Sequence, residues 1–240
     1  MMPKREISHP LLGKIIVTYN KRARKIIMRA RFDAIYITAP TLATDKDIER
    51  ALAAYGDKLK QQQENLPQNR IDANYSIATQ HLTLSLKEGD IKGVKITGNN
   101  GMYTVFYAKN IDFSSDETQN ILQKAITAAL QHRAKQILPQ RLLLLSKEHN
   151  LHYSHVTTRN CRTRWGSCSS SGSISLSIYL VLLPQHLIDY VLKHELCHTV
   201  EMNHSARFWA LLDKMCGTSS KALRQELKKF STSIQEFKNR

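Results

Sequence analysis

The chain has 240 residues, 42% of them hydrophobic and 23% charged, which suits a globular protein with a buried core and excludes a disordered or fibrous one. No apolar run approaches the roughly 20 residues of a membrane span, and the start, MMPKREISHPLLGKIIV, has no apolar stretch fit for a secretory signal, so a cytoplasmic protein without membrane contact is expected. The net charge of +15 favours anionic partners, nucleic acid among them, and four cysteines without a C-x-x-C pair read as reduced thiols.

GKIIVTYN, KIIMRARF and AIYITAP are short, β-branched and bounded by turn-forming or charged residues, the pattern of strands. The basic cluster NKRARKIIMRAR reads as solvated strand edges, because lysine and arginine blunt exposed edges and no aromatic residues are interleaved for base stacking. DKDIERALAAYGDKLKQQQENL spaces its apolar residues by three and four, predicting a helix capped by Thr44 or Asp45. Strands return from Tyr75 to Tyr107, with glycine and asparagine at the turns. SSDETQNILQKAITAALQHRAKQILPQRLLLLSKEHN is helical, with Ser114 or Ser115 as its cap and Pro139 placed to kink or divide it. VTTRNCRTRWGSCSSSGSISLSIYL reads as a hairpin turning at Ser169–Gly172, in which Ile174, Leu176 and Ile178 alternate with Ser173, Ser175 and Ser177. Pro184 suits the first turn of the helix QHLIDYVLKHELCHTVEM, and SARFWALLDKMCG and SKALRQELKKFSTSIQEFK predict two more helices. The expected class is α+β: a β-rich N-terminal domain with one helix over residues 1–114, then a helical domain with a short hairpin over 115–240.

The chemistry concentrates in HELCHTVEMNH. His194 and His198 are four apart, so on a helix they project from one face and can bind one tetrahedral zinc ion. Glu195 then lies beside the open coordination position, where a carboxylate can take a proton from water and pass it to a leaving amine. A catalytic zinc takes three protein ligands. On an unbroken helix Glu201 would stand about 10 Å along the axis from His194, too far to share an ion, and His204 about 15 Å away. His204 reaches the metal only if the helix ends and the chain doubles back, a turn that Asn203 suits because asparagine tolerates left-handed backbone. His204 is therefore expected as the third ligand, with Glu201 as a supporting partner or a surface carboxylate.

RWGSCSSSGSISLS, LIDYVLKHELCH and NHSARFW, in this order and spacing, resemble the YgjP-like family of zinc metallopeptidases, relatives of the SprT-like minimal zincins, and KRARKIIMRARFDAIYITAP resembles that family's first segment. The resemblance implies a zincin-like catalytic domain with one Zn2+ on His194, His198 and His204, Glu195 as the catalytic base, and a peptide or protein substrate. The spacing is also similar to that of metzincins, which carry a glycine where this chain has Glu201. By analogy with zincins, the strand Ser173–Ile178 lines the cleft as an edge for an extended substrate, with Ser173, Ser175 and Ser177 presented to it, or is simply a half-buried strand. Tyr190, one turn before His194, is a candidate substrate or oxyanion contact or a packed side chain. Trp165 reads as a packing residue, Cys168 as a buried thiol, and Phe208 and Trp209 as anchors that hold His204 in place. His149, His152 and His155 read as loop histidines rather than a second metal site. Two other functions compete: a DNA-associated protein acting on DNA-bound proteins, as the SprT-like resemblance and the basic charge suggest, and a zinc hydrolase of a non-peptide bond.

Overall fold

The structure is a computed structural model that describes residues 4–30, 34–64, 70–232 and 234. Four strands open the chain: Lys4–His9 (β1), Gly13–Tyr19 (β2), Ile27–Ala30 (β3) and Ile35–Ala39 (β4), ordered β1-β2-β4-β3. Alternation turns Ile15 and Val17 of β2 and Ile35 and Ile37 of β4 into the core, and these two strands run parallel. β1 has no counterpart in the sequence expectation, since KREISH carries a single apolar residue, Ile7; its antiparallel pairing with β2 makes it a strand. The helix Asp45–Glu64 (α1) presents Ile48, Leu52 and Leu59 at helical spacing to that core. Its cap is Thr44 rather than Asp45: the Asp47 N–H donates to Thr44 Oγ1 at 3.3 Å, and Asp47 Oδ2 accepts from the Thr44 N–H at 2.9 Å. The basic cluster lies exposed around the β2–β3 turn and along β3, as a solvated edge.

Packing divides the chain into Met1–Asn69 and Arg70–Arg240. The change from strands to helices at 114/115 falls inside the second unit, because its sheet shares one core with the helices that follow. That sheet comprises Ser76–Ala78 (β5), Thr83–Gly89 (β6), Val94–Asn99 (β7) and Met102–Ala108 (β8), ordered β5-β6-β8-β7. Asp116–Glu148 (α2) runs 33 residues, burying a stripe from Leu122 through Ile126, Leu130, Ala134 and Leu138 to Leu145, and continues past Pro139 undivided. Neither expected serine caps it by its side chain: Ser115 occupies the N-cap without a cap bond, and Ser114 Oγ donates to Asp112. Asp116 and Glu117 in the first turn face the positive end of the helix dipole instead.

A third sheet comprises His155–Arg159 (β9), Gly166–Cys168 (β10) and Ser173–Ser177 (β11). The expected hairpin is β10–β11, but β9 pairs parallel with the other side of β11, so the order is β10-β11-β9 and β11 is central. A buried 3-10 turn, Ile178–Leu182, leads to Gln185–Cys197 (α3), which Pro184 enters from the N-cap position. Ala206–Cys216 (α4) and Ser220–Leu227 (α5) follow, with Gly217 in left-handed conformation closing α4. The expected ends of the third strand (Arg31, Phe32), of the first helix (Asn65, Leu66) and of the last helix (Ser233 and residues 235–238) lie outside the described residues, as do the first three residues of the chain. Among the described residues, no helix is long and apolar enough to cross a membrane.

Candidate metal centre

α3 is a core helix with one polar exception. Leu187, Ile188, Val191, Leu192 and Leu196 are buried, and so is Glu195, only 5% exposed. His194 and His198 stand one turn apart with ring centroids 4.9 Å from each other. The helix does not continue to Met202; it stops at Cys197, with His198 as its C-cap. The Val200 and Glu201 N–H groups both return to the Cys197 carbonyl, at 3.1 and 2.8 Å, and Thr199 Oγ1 donates to the Leu196 carbonyl at 2.8 Å. The Thr199 N–H reaches the same Leu196 carbonyl at 3.0 Å, a three-residue bond that tightens the last turn. Asn203 is not in left-handed conformation, which among described non-glycine residues is confined to Asn100 and Asn150. The reversal expected at Asn203 is spread over Thr199–Ser205 instead. Ser205 then caps α4, its Oγ accepting from the Phe208 N–H at 3.3 Å, and Phe208 is fully buried.

This return brings the third imidazole home. His204 Nε2 lies 3.2 Å from His194 Nε2, the His198 and His204 ring centroids are 4.7 Å apart, and the three histidines each offer a ligand atom within 4.8 Å of the others. Two zinc–nitrogen bonds of about 2.0–2.1 Å at a tetrahedral angle separate their nitrogens by about 3.4 Å, so the His194–His204 spacing fits one ion. His198 Nδ1 donates to the Glu201 main-chain carbonyl at 3.2 Å, which fixes its tautomer and leaves Nε2 for a metal. Glu201 thus supports the site through its carbonyl. His204 stacks on Trp209, centroids 5.4 Å apart, in the anchoring role expected of that tryptophan. Burial, with help from His198, His204 and the Arg224 cation, pushes His194 down to about 3; burial also lowers His204. Both rings are neutral at pH 7, the form that donates a lone pair.

The Glu195 carboxylate faces β10. Its Oε2 is buried without a hydrogen-bond partner, and burial pushes its pKa up to about 7 against the opposing pull of the Arg164 cation. Gly166 makes room for it: a Cβ at that position would lie 2.5 Å from Glu195 Oε1 and 2.7 Å from Cγ. Gly166 and Arg164 stand in the RWGSC motif, but sequence reasoning assigned neither a role beside Glu195, because the contact spans 29 positions and RWGSC shows only a lone glycine. Cys168 is half-buried rather than buried, and the Glu195 charge adds to burial in raising its thiol. Trp165 packs against the core as expected.

The candidate substrate residues are placed differently. β11 is central, so its main chain is already paired on both sides and it is no edge for a substrate; the edge beside Glu195 is β10. Ser177 is 1% exposed, its Oγ donating to the Cys161 carbonyl at 2.6 Å and accepting from the Tyr179 N–H, which commits it to the fold. Ser173 and Ser175 are half-buried along the same strand. Tyr190 is buried in the wall of a pocket next to His194 and His204, and burial pushes its hydroxyl up to about 12, so it stays protonated. Among the described residues, the one such group close enough for a single ion is His194, His198 and His204; His149, His152 and His155 do not form another.

A profile of the YgjP-like family, metallopeptidase domain, matches residues 24–230. The chain is similar to the crystal structure of the metallopeptidase zymogen of Pyrococcus abyssi abylysin, with 21% identity over 39% of this chain and 95% of that one and a TM-score of 0.36. No curated protein matches significantly.

Proposed function

The chain belongs to the YgjP-like metallopeptidase family and is a metal-dependent peptidase; from that premise we propose that its metal is one zinc ion held by His194, His198 and His204, with Glu195 as general base. One observation carries this reading: three imidazoles converge beside a buried carboxylate with an unpartnered oxygen. A zinc ion held by these imidazoles would activate water, lowering its pKa towards about 7, and would polarise the scissile carbonyl. Glu195 Oε2, with no competing donor, takes the proton of the attacking water and passes it to the leaving amine nitrogen. The Glu201 carbonyl keeps the His198 ring in its ligating orientation, and the Trp209 ring does the same for His204. An extended substrate pairs with the β10 edge, Gly166–Cys168, which carries its scissile bond past Glu195.

The test is metal analysis of the purified full chain beside digestion of casein and a peptide library, for wild type and Glu195→Gln. One zinc per chain in both proteins is expected, with cleavage reduced about 10²- to 10⁴-fold in the variant. Zinc retained with undiminished cleavage would remove Glu195 from the chemistry, and a wild-type chain that binds no zinc would remove the centre.

A further inference from the structure

A pocket of about 400 Å³ has His194 and His204 in its lining. Tyr190 and Val191 from α3, Trp209 from α4 and Leu227 from α5 give it mainly apolar walls. One cation lines it. Arg224, on α5, holds its guanidinium carbon 5.7 Å from the Trp209 ring centroid. Among the described residues, no carboxylate pairs with this guanidinium, and the Tyr190 hydroxyl has no hydrogen-bond partner. The Arg224 charge is felt at Tyr190, His194 and His204, so it acts within the site.

We infer that this pocket is a substrate subsite for a carboxylate carried by the residue flanking the scissile bond: the side chain of an Asp or Glu, or the C-terminal carboxylate of the peptide itself. The inference rests on the peptidase reading above and names the substrate class for it. Apolar walls take an aliphatic stem, and a guanidinium held over an indole presents a planar fork to a carboxylate. The protonated Tyr190 hydroxyl supplies a further donor. His194 and His204, two of the three clustered imidazoles, line the pocket themselves, so a residue next to the bond being cut lies within its reach.

The test uses the zinc-loaded full chain and two matched peptide pairs. One pair differs by Glu or Gln beside the cleaved bond, with both termini blocked; the other has a free or an amidated C terminus one residue beyond it. Wild type should favour the carboxylate member of one pair by about ten- to a hundredfold in kcat/KM, and the pair that responds identifies the source. In Arg224→Gln that ratio should collapse towards one, and Arg224→Glu should turn the preference towards a lysine at the same position. A wild-type ratio near one in both pairs, or a ratio unchanged in Arg224→Gln, would overturn the subsite while leaving the peptidase standing. If no peptide is cut, the peptidase reading fails by itself, and a titration of metal-free protein with N-acetylglutamate, read by tryptophan emission, decides the subsite. A saturable change that N-acetylglutamine does not give and that Arg224→Gln lacks upholds it, and no difference between the two ligands overturns it.

Discussion

Two stretches bring the three imidazoles of the candidate metal centre to one point, and they are held there in different ways. α3 carries His194, Glu195 and the C-cap His198 on a helix whose other residues are largely core. The returning segment Thr199–Ser205 carries His204 on exposed chain, with Val200 59% and Met202 46% exposed, and rests on a carbonyl contact, one serine cap and a ring stack. Burial gives the helix side its chemistry, because it keeps Glu195 protonatable near neutrality and His194 uncharged. The segment side contributes position, and its geometry depends on a few bonds worth about 1 kcal/mol each.

The largest expected effect tests whether burial alone governs the helix side, in metal-free protein. Glu195 rises from 4.5 to about 7 on folding, so the folded state binds its proton more tightly and stability falls as pH climbs through that window, by up to about 3 kcal/mol. His194 falls from 6.5 to about 3, so its contribution is full above 6.5 and is lost as pH drops towards 3. Between 4.5 and 6.5 these two slopes oppose and largely cancel each other, while His204, His81 and His149, also lowered by burial, leave the wild-type curve rising only gently. Glu195→Gln removes one of the two opposing slopes, so its stability should climb more steeply across the same interval. Urea unfolding of both proteins at half-unit pH steps reads this directly. Parallel curves would mean that burial of Glu195 does not set its protonation.

Next in size is the contact between Glu195 and β10. Gly166 is not among the positive-φ glycines, so an alanine there meets no backbone penalty, only the Glu195 side chain. The carboxylate must swing away, and a displacement of about 1 Å at a reacting group can cost on the order of a hundredfold in rate. Gly166→Ala should therefore lose about that much kcat while its urea midpoint drops by the equivalent of about 1 kcal/mol and zinc stays bound. Equal activity in this variant would show that Glu195 tolerates a wide range of positions, and the helix side would then be no better defined than the segment.

The same contrast explains what could be read from the amino-acid order. H-E-x-x-H is a statement about one helix face, and the i, i+4 rule needs nothing beyond the helix to place its imidazoles. His204 emerged from axial distances that ruled Glu201 out as a ligand, yet the stopping point was misplaced by five residues. The helix ends two residues before Thr199, whose hydroxyl bonds back to the Leu196 carbonyl, and a threonine within a helical pattern carries no unambiguous stop signal. The central position of β11 depends on parallel pairing with β9, a long-range choice that alternation within β11 is equally compatible with. Arg224, in the same way, looks like one more surface cation on an amphipathic helix until the chain folds it over Trp209.

The smallest expected effect isolates the segment. Ser205 accepts the Phe208 N–H and so sets where α4 begins, immediately after His204. Replacing it with alanine costs about 1 kcal/mol of stability, the usual worth of an N-cap. That loss falls on the element that orients His204, while His194 and Glu195 sit in a helix with its own core and should keep their positions. Ser205→Ala should accordingly weaken zinc binding by several-fold and leave kcat at saturating zinc nearly unchanged, as competition with a chromogenic chelator and zinc-titrated assays would read. A variant with wild-type zinc affinity but reduced kcat would reverse the assignment: the returning segment would then be shaping the reaction, and the division between a helix that does chemistry and a segment that holds metal would not stand.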